Sequence, residues 1–247
     1  MRPDRQAQDW NELARLDPYW VILTAGDKRF GGWDSDAFFA IGTVEVSAMM
    51  ERFERLGHPQ DRERALDFGC GVGRITRALA QHFDECVGVD ISEDMVRRAE
   101  ELNADVPGAS FVVNVANDLA RFDDASFDLV FSSIVLQHVP DRSTIESYIA
   151  EFCRVVRHGG LVMFQLPSHI PAIYRTQWRR RLYAGLRRVG VSAPFLYRRL
   201  RLVPIAMSYV AEPEIVQLIE SVGARLLDVD TVAAEAGVRS STYYVTR

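Results

Sequence analysis

Short apolar runs recur along this chain and alternate with longer amphipathic stretches. Arg64–Phe68, Cys86–Val89, Ser110–Val113, Ser126–Phe131 and Leu161–Leu166 are rich in Val, Leu and Phe, the pattern of buried strands. Between them, residues 73–82, 92–104 and 142–156 carry apolar positions at helical spacing. Ser92 is a good N-cap, with Glu93 and Asp94 facing the positive helix end, and His158-Gly159-Gly160 reads as a helix stop. Strand and helix in alternation predict a doubly wound, mostly parallel α/β sheet. Upstream, residues 5–16 predict a helix with Trp10, Leu13 and Leu16 on one side, ended by Asp17-Pro18. Tyr19–Leu23 then runs into a glycine-bearing loop, and residues 43–57 predict a second helix closing near Gly57. After the fifth strand the alternation breaks. Residues 168–211 hold no strand signal, Pro171 opens a helix over 172–189, and Pro194 opens another over 195–202. A helix over 212–222 and strands at Leu226–Val229 and Thr242–Thr246 complete the chain. The expected division is a helical lid at 1–60, an α/β core at 61–167, a helical insert at 168–211 and the remainder of the core at 212–247.

The composition sharpens this picture in three places. Of the 247 residues 48% are hydrophobic, enough for a full core, yet no uninterrupted apolar run approaches the length of a membrane span. The start, Met-Arg-Pro-Asp-Arg-Gln, lacks the apolar stretch of a signal peptide, and three cysteines in or beside buried elements form no Cys-x-x-Cys pair. A reduced, cytoplasmic protein is the expectation, and the five scattered histidines imply no metal site. The formal charge of −5 hides an asymmetry: between Glu151 and Glu212 there is no Asp or Glu, while eleven arginines fall there.

The chemistry concentrates at the first two strands. Ala-Leu-Asp-Phe-Gly-Cys-Gly-Val-Gly (65–73) delivers Asp67 and then three alternate glycines, Gly69, Gly71 and Gly73, before a helix. Glycine is needed where backbone takes positive φ or a ligand lies against it. The second strand ends on Asp90, whose carboxylate can accept from a ribose diol. The dinucleotide pattern G-x-G-x-x-G fails because Arg74 stands at its third glycine, no Tyr-x-x-x-Lys pair occurs, and no P-loop is present. A nucleoside with a cationic part suits the acidic residue two before the first glycine better than a phosphate does.

In these residues the chain resembles the class I S-adenosylmethionine-dependent methyltransferases. Their D/E-x-G-x-G-x-G motif is matched by Asp67–Gly73, and their acidic residue closing the next strand by Asp90. Phe127–Val130 and Leu136–Val139 match the fourth strand and the loop after it, and the resemblance covers residues 64–166. It implies a seven-stranded sheet in the order 3-2-1-4-5-7-6 and S-adenosylmethionine as cofactor. It implies cofactor contacts at Asp67 (near the aminoacyl end), Gly69, Cys70, Gly71, Gly73, Asp90, Ile91, Met95 and Ser132. Many members carry an Asp after the third strand, but Val115 stands at that place, which shifts the adenine contact to Ala116, Asn117 or Asp118.

Methyl transfer from a sulfonium asks for in-line approach in a site free of water, and an oxygen acceptor must also lose a proton. His138 is the candidate base, with a loop-ordering role as the plainer alternative, and His169 is weaker. Tyr19, Trp20, Trp33, Phe38 and Phe39 are candidate lid residues, whereas Trp10 reads as burying the first helix. Over 172–189, Tyr174, Trp178, Leu182, Leu186 and Val189 form an apolar stripe with arginines largely off it. Two readings follow: a cap whose stripe packs on the core with its arginines paired to the acidic body, or a basic amphipathic helix that meets an anionic or lipid-linked acceptor or a membrane surface through residues 172–201. Nucleic acid is disfavoured, since no RNA-binding module flanks the patch. The expected function is methylation of a small-molecule acceptor at oxygen. Alternatives are N- or C-methylation of a lipid-linked or anionic acceptor at a membrane surface, and a cofactor-binding protein without catalysis.

Overall fold

The structure is a computed structural model describing residues 3–233 and 237–247. Seven strands form one sheet in the order β3-β2-β1-β4-β5-β7-β6, as the resemblance implies. They are β1 (Arg64–Phe68), β2 (Glu85–Asp90), β3 (Ala109–Val113), β4 (Phe127–Ser132), β5 (Val156–His169), β6 (Arg225–Ala233) and β7 (Arg239–Thr246). Strands β1 to β5 run parallel, and β7 lies antiparallel between β5 and β6. The chain crosses from one half of the sheet to the other at β1, which pairs with both β2 and β4. A crevice outside the C-terminal ends of these strands is the general binding place of such sheets.

Strand β4 is buried at every position, and β1 at all but its first, so each reads as a continuous apolar run. On one face α6 (Arg142–Val155) and α10 (Glu212–Ser221) cover the sheet, with Phe152, Ile149 and Ile219 fully buried. On the other, α3 (Ser35–Leu56) and α4 (Arg74–Leu79) contribute Val46, Phe53 and Leu79.

Three boundaries differ from expectation. Helix α3 starts at Ser35 rather than 43, because Asp34 caps it by accepting from Ala37 N at 2.9 Å. Strand β5 begins directly after α6, so His158-Gly159-Gly160 lies inside the strand. The glycines serve close approach: a Cβ at Gly160 would meet Asp128 O at 2.8 Å. The predicted helix over 172–189 is two helices, α7 (Ala172–Arg175) and α8 (Trp178–Arg188), split at Gln177, whose φ of 48° is left-handed. A third insert helix, α9 (Ala193–Arg199), follows.

Of the 1–60 segment expected to be a lid, α3 packs on the sheet, and the part left for that place is α1 (Pro3–Leu16) and α2 (Pro18–Ile22). Asp17 starts α2, a short helix to which the sequence pattern assigns no element: it accepts from Trp20 N, with Pro18 at the first helical position. Its buried carboxylate also accepts from Phe30 N, Gly31 N and the Tyr197 hydroxyl, at 2.7, 3.0 and 2.7 Å. One side chain therefore joins the lid to the insert.

Candidate functional site

A cavity of about 940 Å3, open mouth included, lies at the C-terminal tips of β1, β2 and β4. Its floor is the turn after β1. Gly69 and Gly71 take φ of +81° and +55° there, and both line the cavity. A Cβ on Gly69 would lie 2.3 Å from Val135 Cγ2, and one on Gly71 would lie 2.5 Å from Ile22 Cδ1 of the lid. Gly73 serves another purpose. It faces away from the cavity, where a Cβ would strike Asn103 Nδ2 at 2.6 Å and the Phe111 ring at 2.8 Å.

Asp90 ends β2 at the cavity wall. Its Oδ2 accepts from Gly71 N and its Oδ1 from Ser92 N, both at 2.9 Å. These bonds hold the carboxylate in place and leave a lone pair on each oxygen. Burial pushes its pKa up, and the backbone N–H groups oppose that rise. Diol hydroxyls donating to the free lone pairs would offset the same desolvation.

Asp67 is placed elsewhere than the resemblance implies. It is buried and absent from the cavity wall, and its carboxylate accepts from Thr76 Oγ1 at 2.6 Å. Desolvation raises it to about 6. Its work is to tie β1 to α4, and the aminoacyl contact assigned to it is corrected on that ground. A cation stands nearby instead. Arg74, at 5% exposure, lines the cavity and bonds Glu45 through Nη1 at 2.5 Å, while its Nε has no hydrogen-bond partner among the described residues.

Of the remaining residues singled out for cofactor contact, Ile91, Met95 and Asn117 line the cavity. Cys70, Ala116 and Ser132 do not. Cys70 is buried with its thiol pushed up by desolvation. Ala116 O accepts from the Tyr148 hydroxyl at 2.7 Å, and Ser132 Oγ is buried inside the fold. Asn114, Ser133 and Ile134 were missed. Ile134 is a β-branched residue with φ of 61°, a costly conformation held where its N–H donates to Gln165 Oε1 at 2.9 Å.

The lid residues change roles. Tyr19, Trp20, Trp33, Phe38 and Phe39 are absent from the cavity wall and pack mainly on each other, with Tyr19 and Phe38 centroids 4.6 Å apart. The cavity face of the lid is Gln6, Trp10, Val21 and Ile22. Trp10, expected only to bury its helix, packs on the His138 ring at 5.6 Å. No sequence pattern separates these aromatic roles, because both sets join one apolar cluster.

His138 lines the cavity. Its Nδ1–H donates to Ala206 O at 2.8 Å, its Nε2 accepts from Gln137 Nε2 at 3.2 Å, and Gln6 Nε2 donates to its backbone O. Burial lowers its pKa, and the Ala206 carbonyl partly counters this, so the ring is neutral at pH 7 with the lone pair on Nε2. A small second cavity shares Gln6, Trp10 and His138 with the first and adds Asp9 and Arg180. Desolvation there pushes Asp9 up to about 6.

These residues fit S-adenosylmethionine: acceptor capacity at Asp90, a cationic Arg74 side chain in the wall and a glycine cradle that any side chain would fill. The comparisons agree. A family model described as a methyltransferase domain matches residues 66–164. The chain is 31% identical over 177 residues to a chloroplastic tocopherol O-methyltransferase of Arabidopsis thaliana, covering 66% of this chain and 49% of that one. It is 38% identical over 159 residues to a 2-methyl-6-phytyl-1,4-hydroquinone methyltransferase of Synechocystis, covering 62% and 47%. The chain thus spans about half the length of the curated relatives it matches. A magnesium protoporphyrin IX methyltransferase of Synechocystis, solved with bound S-adenosylmethionine, shares the fold at a TM-score of 0.63 and 17% identity, covering 100% of this chain and 97% of that one. Residues 66–164 are thus a methyltransferase domain, and they carry the motifs of the class I S-adenosylmethionine-dependent methyltransferases.

Proposed function

We propose that this protein methylates a small-molecule acceptor at oxygen, using S-adenosylmethionine. The observation that carries the reading is the convergence of the pre-positioned Asp90 carboxylate, the Gly69–Gly71 cradle and the Arg74 side chain on one cavity. Bound S-adenosylmethionine would supply a methyl group on a positively charged sulfur. Asp90 would hold its ribose diol, Arg74 its carboxylate, and Ile91 and Met95 would give its purine apolar walls.

The acceptor side is lined by Trp10, Ile22, Val135 and Val139, which exclude water. His138 then has a task that its bonding pattern supports. Ala206 fixes the tautomer, so Nε2 is the basic atom, and an acceptor hydroxyl would displace the Gln137 amide to reach it. Four matched relatives are named O-methyltransferases. The tocopherol and phytyl-hydroquinone relatives favour a hydroquinone-type acceptor carrying an apolar chain.

Incubation with labelled cofactor and a panel of hydroquinones, phenols and carboxylic acids tests the proposal. The expected product carries its new methyl on oxygen. Label found on carbon or nitrogen would replace the oxygen reading, and cofactor binding without transfer to any acceptor would favour a protein that senses the cofactor.

A further inference from the structure

The insert presents its apolar stripe to solvent. Helices of globular proteins turn such a stripe toward the core, yet Trp178, Leu182 and Val189, close in angle around α8, are 55%, 45% and 76% exposed. The inner side of α8 is held by polar contacts. Tyr183 is buried and donates through its hydroxyl to Glu12 Oε2 at 2.5 Å, and Arg187 pairs with Glu12 Oε1 at 2.8 Å. Leu186, placed on the stripe by its spacing, is only partly buried and packs inward. Of the stripe expected to pack on the core, only Leu186 turns inward, and Tyr174, Trp178, Leu182 and Val189 stay exposed.

Charge frames this exposed face. Arg181 and Arg188 flank it on one side of the helix and Arg179 on the other. Arg181 and Arg188 have no carboxylate within ion-pair distance among the described residues, and no acidic residue lies between Glu151 and Glu212 to neutralise them. Helix α9 repeats the combination, with Phe195 and Leu200 about half exposed beside Arg198 and Arg199. An apolar strip rimmed by arginines matches the boundary between lipid headgroups and acyl chains. Trp and Leu enter the apolar layer while guanidinium groups bond phosphates. A soluble protein partner would leave so many like charges uncompensated unless it were strongly acidic.

We infer that the outer face of α8, extended by α9, docks on an anionic lipid surface. The same helix turns Arg180 toward the second cavity, which shares Gln6, Trp10 and His138 with the crevice. No helix among the described residues is long and apolar enough to cross a membrane, so the contact is peripheral.

Co-sedimentation of the whole chain with vesicles tests this without reference to methyl transfer. Phosphatidylcholine vesicles containing phosphatidylglycerol should carry the protein down, pure phosphatidylcholine vesicles should carry far less, and high salt should release it. Arg181→Ala with Arg188→Ala should lower partitioning by about fivefold per arginine. Trp178→Ser with Leu182→Ser should lower it about tenfold or more, with an unchanged melting temperature because these side chains are exposed. The inference is overturned if the wild type stays in solution with both vesicle types. It is equally overturned if either double variant sediments like the wild type, or if salt-sensitive binding is found only with RNA.

Discussion

The crevice at the strand tips and the outer face of the insert obey opposite rules. At the strand tips, polar atoms are few, buried and mostly committed: Asp90 to two backbone N–H groups, Asp67 to Thr76, His138 to Ala206 and Gln137. On the insert, Arg181 and Arg188, with no acid partner among the described residues, flank exposed Trp178, Leu182 and Val189. The first region is pre-organised for one ligand of fixed shape. The second has no fixed complement and suits a surface that adapts. Recognition of the cofactor and placement of the enzyme are therefore built on separate parts of the chain, and variants in one should leave the other intact.

The largest expected effect is in the crevice. Gly69→Ala should lower cofactor affinity by about 10–100-fold and reduce the melting temperature, since it adds left-handed strain and drives a Cβ against Val135. Isothermal titration beside thermal denaturation measures both, and vesicle partitioning should stay at the wild-type level. A variant that binds cofactor normally would dissolve the contrast between a rigid cradle and an adaptable face.

Asp90→Ala comes next, with about 10–100-fold weaker binding. The carboxylate also caps Gly71 N and Ser92 N, so stability should fall by about 1–3 kcal/mol as those donors lose their partner. A variant with weakened binding and unaltered stability would show that the turn holds its shape alone.

His138→Gln should cut turnover without altering cofactor affinity. In the wild type a neutral ring is required, and burial sets its pKa below 6.5, so the rate should be flat near neutrality and fall as pH drops through that lowered value. If the variant keeps the same pH profile, His138 acts only by fastening the loop to Ala206.

The smallest effect concerns Asp9. Its folded-state pKa, about 6, lies above the ordinary 3.8, so the folded chain holds the proton more tightly than the unfolded one. Stability is therefore lost as pH rises from about 4 to 6 and stays lost above that window. Asp9→Asn should flatten this part of the melting-temperature profile, and an unchanged slope there would remove Asp9 from the second cavity's electrostatics.

What could be read from residues alone follows the same division. The parallel strands, the Gly69–Gly71 turn and Asp90 were legible, because continuous apolar strands and positive-φ glycines leave local marks, while the sheet order came with the family resemblance. Asp67 was misplaced because a motif names a residue without saying which way it faces, and Thr76, nine residues on, claims its carboxylate. Trp10 and Tyr19 could not be told apart, since the cavity wall is decided by how α1 and α2 settle on the turn. The stripe on α8 was legible as a stripe. Which side meets the body depends on Glu12, 171 residues from Tyr183, and no local pattern carries that.

The most direct test is a crystal structure of the chain with S-adenosylhomocysteine. Both ribose hydroxyls should lie within hydrogen-bond distance of the Asp90 carboxylate, with the carboxylate of the amino-acid end toward Arg74. A ribose seated away from Asp90, or a cavity closed by the lid with the nucleoside bound elsewhere, would contradict the account.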